Sequence, residues 1–480
     1  TKADLAGDEL VGLVRLEIEE FVAGSFLEGA PVVAVSSVTG QGIDELRREL
    51  ERAAAGIDAK DAALHFRLPI DRAFSMKGFG TVVTGTLISG AVSKDQELVV
   101  LPAGRRVRVR GLQVHGEPAA RAIAGQRAAL NLADIDTAAL ARGMVLAPPE
   151  VFRPTRDFEC RLALLRSAKP LKHRAPVHFH TGTAEIEAEV RLLAGQSALD
   201  PGQSAFARIV LREPALLLPG DRFIIRRFSP VITIGGGVVL DTVSRRDPAR
   251  LAALDGADAA ARVGLLVGES PFGLGCAELV ARTGLVEARI DALARRPDFV
   301  VLRQPETWLI GASRFAGETA RIEHAVAEFH RASPLLPGLA KADLRAGRPP
   351  FVLDALLASS KRLVVEGDTV RLATHRLVLR EDEELARGVI ERAFEHAGLA
   401  VPGVAEVLGK SGVEERRARS ILQILIRERR LVRVSEELVF HAAAIDHLRS
   451  LLATRRAERF SVPVFKEWTG VSRKYAIPLL

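Results

Sequence analysis

The stretch FRLPIDRAFSMKGFGTVVTGTLISGAV, Phe66 to Val92, decides the fold class. Val82 and Val83 are β-branched and Leu87 and Ile88 extend the apolar run, so the segment reads as two or three short strands. Gly78, Gly80, Gly85 and Gly90 punctuate them, and glycine lets a chain reverse tightly without a side-chain clash. Outward from this stretch, Phe66 to Ala147 stays all-β, with strand signals at LVVLP, RRVRVRGLQVH and GQRAALNLA. Phe158 to Asp241 continues in β and ends FIIRRFSPVITIGGGVVLD, where Gly235 to Gly237 read as backbone freedom at a barrel turn.

Upstream, ELVGLVRLEIEEFVAG (Glu9 to Gly24) and GIDELRRELERAA (Gly42 to Ala54) carry apolar residues at helical spacing. PVVAVS (Pro31 to Ser36) between them reads as a buried strand, so the order matches the closing half of an α/β nucleotide-binding domain. Downstream of SRRDP, near Arg245, the chain turns mostly helical and repeats. DFVVLRQPETWLI, RLVVEGDTVRLA and RLVRVSEELVFHA each place two short strands around a polar turn behind helical segments, at a period of roughly 65 residues. Helices closed by a β-hairpin describe a winged helix, and a fourth unit begins near Ala444 and runs through KEWTGVSRKYAIPLL. The expected division is 1–56 for the partial nucleotide-binding domain, 63–149 and 150–245 for two barrels, 250–315, 316–380 and 381–443 for three winged helices, and 444–480 for part of a fourth.

Composition narrows the class. A chain of 480 residues that is 48% hydrophobic is too long for one core. It has no run of 18 apolar residues and no charged-then-apolar leader, so neither a membrane span nor a signal peptide is expected. The two cysteines, Cys160 and Cys276, lie far apart without metal-ligand spacing, which argues for a reducing cytoplasm and against a disulfide framework or a metal centre. The formal charge is +7, yet Arg416 to Leu480 alone holds fourteen Lys or Arg against six Asp or Glu. Clustered cations of this kind fit either a solvated helical face or a phosphate-backbone footprint. His178 and His180, alternating in a strand with no partner motif, read as structural.

Two short motifs point to a purine. TKAD (Thr1 to Asp4) and SSVTG (Ser36 to Gly40) resemble the guanine-recognition motifs of GTPases, although Thr1 stands where most carry Asn. A carboxylate at Asp4 can accept two N–H bonds from a base edge while the Lys2 stem lies along the ring. The resemblance assigns the guanine oxygen to a backbone N–H of the second motif, that of Ser37, and places Thr1, Lys2, Asp4, Ser36 and Ser37 at the nucleotide. No GxxxxGK[ST] phosphate loop occurs, and Gly80 to Thr86 lacks the lysine and enters a strand. The GFG at Gly78 to Gly80 is not followed by a helix, which rejects a dinucleotide fingerprint.

The Phe66 to Val92 stretch closely resembles the opening of the second-domain barrel in translational GTPases such as elongation factor Tu. IDRAF (Ile70 to Phe74), AGQRAALN (Ala124 to Asn131) and TIGGGVVLD (Thr233 to Asp241) resemble, more narrowly, the bacterial selenocysteine-specific elongation factors. That resemblance implies a multidomain fold: the C-terminal remnant of an α/β GTPase domain, two elongation-factor-type β-barrels, then tandem winged-helix (α+β) domains. It implies GTP as cofactor, with Mg2+ held in the intact protein by residues outside this chain, and no GTP hydrolysis by this chain alone. It places Asp71, Arg72 and Arg127 at a pocket for the aminoacyl end of the tRNA. SRKYAIPLL (Ser472 to Leu480) resembles the recognition helix of the fourth winged helix, so Arg473, Lys474 and Tyr475 are candidates for an mRNA hairpin, with Arg416, Arg417 and Arg419 as a second basic group. The implied partners are selenocysteinyl-tRNA, the mRNA hairpin and the ribosome, for a monomeric cytoplasmic protein. Two alternatives stand beside it: a winged-helix DNA-binding regulator, or another elongation-factor-type GTPase. Both ends of the sequence fall inside expected domains, as in a fragment of a longer protein.

Overall fold

Short strands that alternate buried and exposed residues leave one apolar face, and closing the sheet on itself buries that face without leaving edges. The computed structural model, which describes residues 1–78, 80–375, 379–435, 437–455 and 460–480, contains two such closures. The first region holds β1 (Leu68–Met76), β2 (Gly80–Thr86), β3 (Ala91–Ser93), β4 (Glu97–Leu101), β5 (Arg105–Val114), β6 (Glu117–Ala119), β7 (Arg121–Ile123), β8 (Arg127–Ala133) and β9 (Val145–Ala147), of which β3 and β7 pair as a separate two-stranded sheet. Its order is β4-β9-β1-β2-β8-β5, and β5 pairs back onto β4. Leu68, Ile70, Val83, Leu98, Leu130 and Leu146 fill the interior.

The second region holds β10 (Thr155–Leu164), β11 (Leu171–Lys172), β12 (Ala175–Thr181), β13 (Ala184–Leu192), β14 (Ala198–Leu199), β15 (Ser204–Ala215), β16 (Arg222–Arg226) and β17 (Thr233–Asp241), of which β11 and β14 pair as a separate two-stranded sheet. It closes as β10-β15-β13-β12-β16-β17 around Phe158, Phe179 and Phe223, whose ring centroids lie 5.2 to 5.6 Å apart. Gly235 to Gly237 sit inside β17 and not at a turn. A Cβ on Gly237 would meet the Arg161 carbonyl oxygen at 2.1 Å, so glycine here permits close approach of neighbouring strands. Glu159 and Asp241 face each other across β10 and β17 and are buried. Arg250 and Arg282 reach them from the helices that follow: Arg282 Nη2 lies 2.7 Å from Asp241 Oδ2, and Arg250 pairs with both carboxylates.

Residues 1–56 depart from expectation in one element. α1 (Asp8–Val22) and α2 (Ile43–Ala55) form as the periodicity predicts, but residues 31–36 are not a strand. A strand needs a neighbouring strand for its N–H and C=O groups, and the described residues of this region supply only isolated backbone bonds, from the Ala3 N–H to Val35 O and from the Ser36 N–H to Gln41 O. Leu10, Leu13, Leu16 and Phe21 of α1 accordingly stay exposed.

The described residues divide into two units, Thr1–Arg262 with Ala277–Ile290, and Val263–Cys276 with Asp291–Leu480. From Pro248 onward, helices alternate with short hairpins. First come α3 (Pro248–Leu254), α4 (Ala259–Glu269), β18 (Leu274–Gly275), α5 (Cys276–Thr283), α6 (Glu287–Ala294), β19 (Phe299–Leu302) and β20 (Trp308–Gly311). Then follow α7 (Ala312–Ala332), β21 (Leu339–Ala340), α8 (Pro350–Ser359), β22 (Leu363–Glu366) and β23 (Thr369–Leu372). A third set is α9 (Glu381–Ala397), α10 (Val404–Gly409), α11 (Glu415–Arg427), β24 (Leu431–Arg433) and β25 (Val439–His441). α12 (Ala442–Ala453), α13 (Val462–Thr469) and α14 (Arg473–Leu479) complete the described chain. The three hairpins fall on the three repeats read from sequence.

One buried group makes this tail pH-sensitive. His330 of α7 accepts a hydrogen bond from the Leu372 N–H at 3.4 Å through Nε2, and its ring stacks on His375 with centroids 3.5 Å apart. Burial, then the charges of His375 and Arg371, push its pKa down to about 4. The unfolded imidazole protonates near 6.5 while the folded one does not, so the penalty is absent above that pH, grows between pH 6.5 and 4, and is complete below 4. Urea unfolding is expected to lose about 1 kcal/mol or more per pH unit across that window, and His330→Gln to flatten the loss. Equal slopes in the two proteins would remove His330 as its source.

Candidate functional site

The first site lies on the outer face of the first barrel. The register between β1 and β2 shifts between Ile70 and Arg72, a bulge that lets Asp71 and Arg72 both leave the core. Asp71 Oδ1 accepts a short hydrogen bond from the Thr84 hydroxyl of β2, and Asp71 Oδ2 accepts from Arg127 Nε at 3.2 Å and Nη2 at 2.9 Å. Arg127 Nη2 also reaches Thr84 Oγ1 at 3.4 Å. Burial alone would raise the Asp71 carboxyl. The Thr84 hydroxyl, the Arg127 guanidinium and the nearby Arg72 charge outweigh it and hold Asp71 below the usual carboxylate range. The three sequence candidates therefore converge, and Asp71 is the counter-charge of Arg127. Arg127 remains half-exposed, with Nη1 making no hydrogen bond among the described residues. Thr84 was missed in sequence, although its place two residues before Thr86 in TVVTGT puts it on the same face as Arg72.

The second site joins the two N-terminal motifs. The Ala3 N–H donates to Val35 O at 3.1 Å, and the buried Ser36 hydroxyl donates to Asp4 Oδ1 at 2.5 Å. Ser36 Oγ also accepts from the Val38 and Thr39 N–H groups, which winds SSVTG into a tight turn. Asp4 Oδ2 makes no hydrogen bond among the described residues, and Thr1, Lys2 and Ser37 are exposed beside it.

The basic candidates of the tail separate. Arg419 and Lys474 line one cavity of about 510 Å³ together with Arg433, Gln423 and Glu437. Arg433 belongs to the hairpin strand β24 and was missed, because nothing in LVR distinguishes it from any edge-strand arginine. Arg416 and Arg417 line a different cavity, and Arg417 is bound to Glu383 at 2.6 Å and Asp382 at 3.0 Å. Arg473 is exposed at the start of α14. Tyr475 packs against two core clusters and donates its hydroxyl to Val401 O at 3.0 Å, which places it as a support for Lys474 and not as a free stacking ring.

Comparison with known proteins bears on these sites. The family model for elongation factor Tu domain 2 matches residues 80–147, and that for the β-barrel domain of selenocysteine-specific elongation factor matches residues 159–246. The chain is 34% identical over 503 aligned residues to the selenocysteine-specific elongation factor of Desulfomicrobium baculatum, covering all of this chain and 79% of that protein. It is 35% identical to the protein of the same description from Haemophilus influenzae, over 50% of this chain and 38% of that one. Its fold is similar to a crystal structure of bacterial selenocysteine-specific elongation factor EF-Sec, with a TM-score of 0.65 at 22% identity, covering all of this chain and 76% of that one. Among the described residues no helix is long and apolar enough to cross a membrane. With the two matched barrels closed side by side in sequence and a relative aligned from end to end, the chain belongs to the family of selenocysteine-specific translation elongation factors.

Proposed function

We propose that this chain is part of a GTP-dependent factor that carries selenocysteinyl-tRNA to the ribosome at recoded UGA codons and reads an mRNA hairpin with its tail. The observation that carries the reading is the convergence of Arg72 and Arg127 on one exposed barrel face, set by Asp71 and Thr84. A selenol is far more acidic than a hydroxyl, so selenocysteine is an anion at neutral pH and serine is not. A guanidinium fork with one uncommitted nitrogen favours the anion on the same tRNA body.

Asp4 fits the guanine edge of GTP, because one carboxylate oxygen is positioned by Ser36 and the other makes no hydrogen bond among the described residues. Lys2 would lie along the base and the Ser37 N–H would meet the guanine oxygen, since the N–H of the buried Ser36 already donates to Gln41 O at 3.0 Å; bound GTP supplies the free energy that times release of the tRNA. No Mg2+ ligand is assigned to this chain. The division of the tail into units at 250–315, 316–380, 381–443 and 444–480, and a monomeric cytoplasmic existence, belong to the same proposal.

The test is affinity of the intact factor, with GTP, for selenocysteinyl-tRNA and for seryl-tRNA of the same sequence. Markedly tighter binding of the first is expected, and equal affinities would end the pocket assignment.

The hairpin is assigned to the cavity of Arg419, Arg433 and Lys474, three cations drawn from α11, β24 and α14. Each phosphate contact releases counterions, so Lys474→Ala with Arg433→Ala is expected to weaken binding of the hairpin and lower the slope of log K against log salt by about one to two. An unchanged slope would move the interface elsewhere. A duplex DNA bound as tightly as the hairpin would favour a DNA-binding regulator instead.

A further inference from the structure

A second cavity in the tail, of about 330 Å³, is lined by four arginines drawn from three elements. Arg331 comes from the end of α7, Arg380 from the residue before α9, and Arg416 and Arg417 from the first turn of α11. Two carboxylates also line it, Glu383 and Glu414. Their distribution leaves part of the cationic charge uncompensated. Glu383, with Asp382 just outside, is taken by Arg417, and Glu328 takes Arg331 at 2.7 Å. Neither Arg380 nor Arg416 forms an ion pair among the described residues; Arg416 Nη2 has only the Ser333 hydroxyl at 3.5 Å. Ser420 adds a second hydroxyl to the wall.

Gathering guanidinium groups costs repulsion unless an anion is shared between them, and the planar fork of arginine matches two oxygens of a phosphoryl group. Glu414 faces the same space but makes no ion pair among the described residues, so it does not neutralise the pair that remains. We propose that this cavity binds a phosphoryl group, held by Arg380 and Arg416 with the Ser333 hydroxyl as a further donor, the Ser420 hydroxyl being committed to the Arg416 carbonyl at 3.1 Å. Its source is either a free phosphate ester or a phosphodiester of the bound RNA; the second case rests on the hairpin reading, the first does not. The cavity is distinct from the one that holds Lys474, since no lining residue is common to the two.

The test titrates the full chain with inorganic phosphate by calorimetry at constant ionic strength, in the wild type, Arg416→Gln and Arg449→Gln. Arg449 is an exposed arginine of α12 whose loss changes net charge equally. Saturable one-to-one binding is expected in the wild type and in Arg449→Gln, weakened roughly tenfold or more in Arg416→Gln. Absence of saturable binding in the wild type, or equal affinity in all three, overturns the proposal. Arg380→Gln provides the same reading should Arg416→Gln fail to fold. The hairpin arm then names the source: reduced hairpin affinity in Arg416→Gln supports a phosphodiester, and unchanged hairpin affinity with lost phosphate binding supports a free phosphate ester. A Lys474 variant that keeps hairpin affinity would fail the hairpin reading without touching the phosphate titration.

Discussion

Asp241→Ala is expected to destabilise the second barrel by about 3 to 5 kcal/mol. Asp241 is buried at the end of β17, and its carboxylate is shared by Arg250 and Arg282, each less than a tenth exposed. Removing it leaves two guanidinium groups in a site closed to water without the carboxylate they share; Glu159, 3.6 Å from Arg250, already accepts from the Ser244 hydroxyl and the Arg246 N–H. An unpaired buried charge costs far more than the pair contributed. Trp308 and Trp468 both lie outside the barrels, so tryptophan fluorescence does not report on this region. Hydrogen exchange of the β10 and β17 amides under native conditions does. Adding Arg282→Met is expected to return part of the loss, because it removes one stranded charge. A loss below about 1 kcal/mol, or strictly additive double-variant behaviour, would mean the cluster is solvated.

The second large effect is on selectivity and not on stability. Arg127→Ala is expected to reduce the preference for selenocysteinyl-tRNA over seryl-tRNA by roughly tenfold to a hundredfold, the worth of one charge-assisted hydrogen bond of about 1.5 to 3 kcal/mol. Its ion pair with Asp71 is half-exposed, and such pairs contribute about 0 to 1 kcal/mol to folding, so the melting temperature should hardly move. Affinity for the seryl form is the internal control, since a general collapse of the barrel face would lower both. Arg127→Lys keeps the charge but loses the fork and should retain only part of the preference. A preference that survives Arg127→Ala intact would leave Arg72 or another group as the discriminating charge.

How legible these sites were depends on whether a site is built within one element or between several. The strands of both barrels were readable because two-residue alternation and glycine punctuation are local. The three hairpins of the tail were readable for the same reason. Asp71, Arg72 and Arg127 were legible only through resemblance; no spacing rule links residue 71 to residue 127. The bulge that turns Asp71 outward, and Thr84 as its partner, depend on cross-strand register. The 31–36 segment misled because an apolar β-branched run states a preference, while strand formation requires a partner outside the run.

The sequence by itself determined the barrels, the alternation of helices and hairpins behind them, and the concentration of positive charge near the end. These follow from side-chain period, turn chemistry and composition, which act over a few residues. Only the tertiary structure decided that Arg419 joins Lys474 and Arg433 while Arg416 and Arg417, three and two residues earlier, face another cavity. Only it brought Glu159, Asp241, Arg250 and Arg282 together over more than a hundred residues. The reason is geometric: on a helix of 3.6 residues per turn, neighbours in sequence point to different faces, and burial of charge is a property of whatever packs against that face.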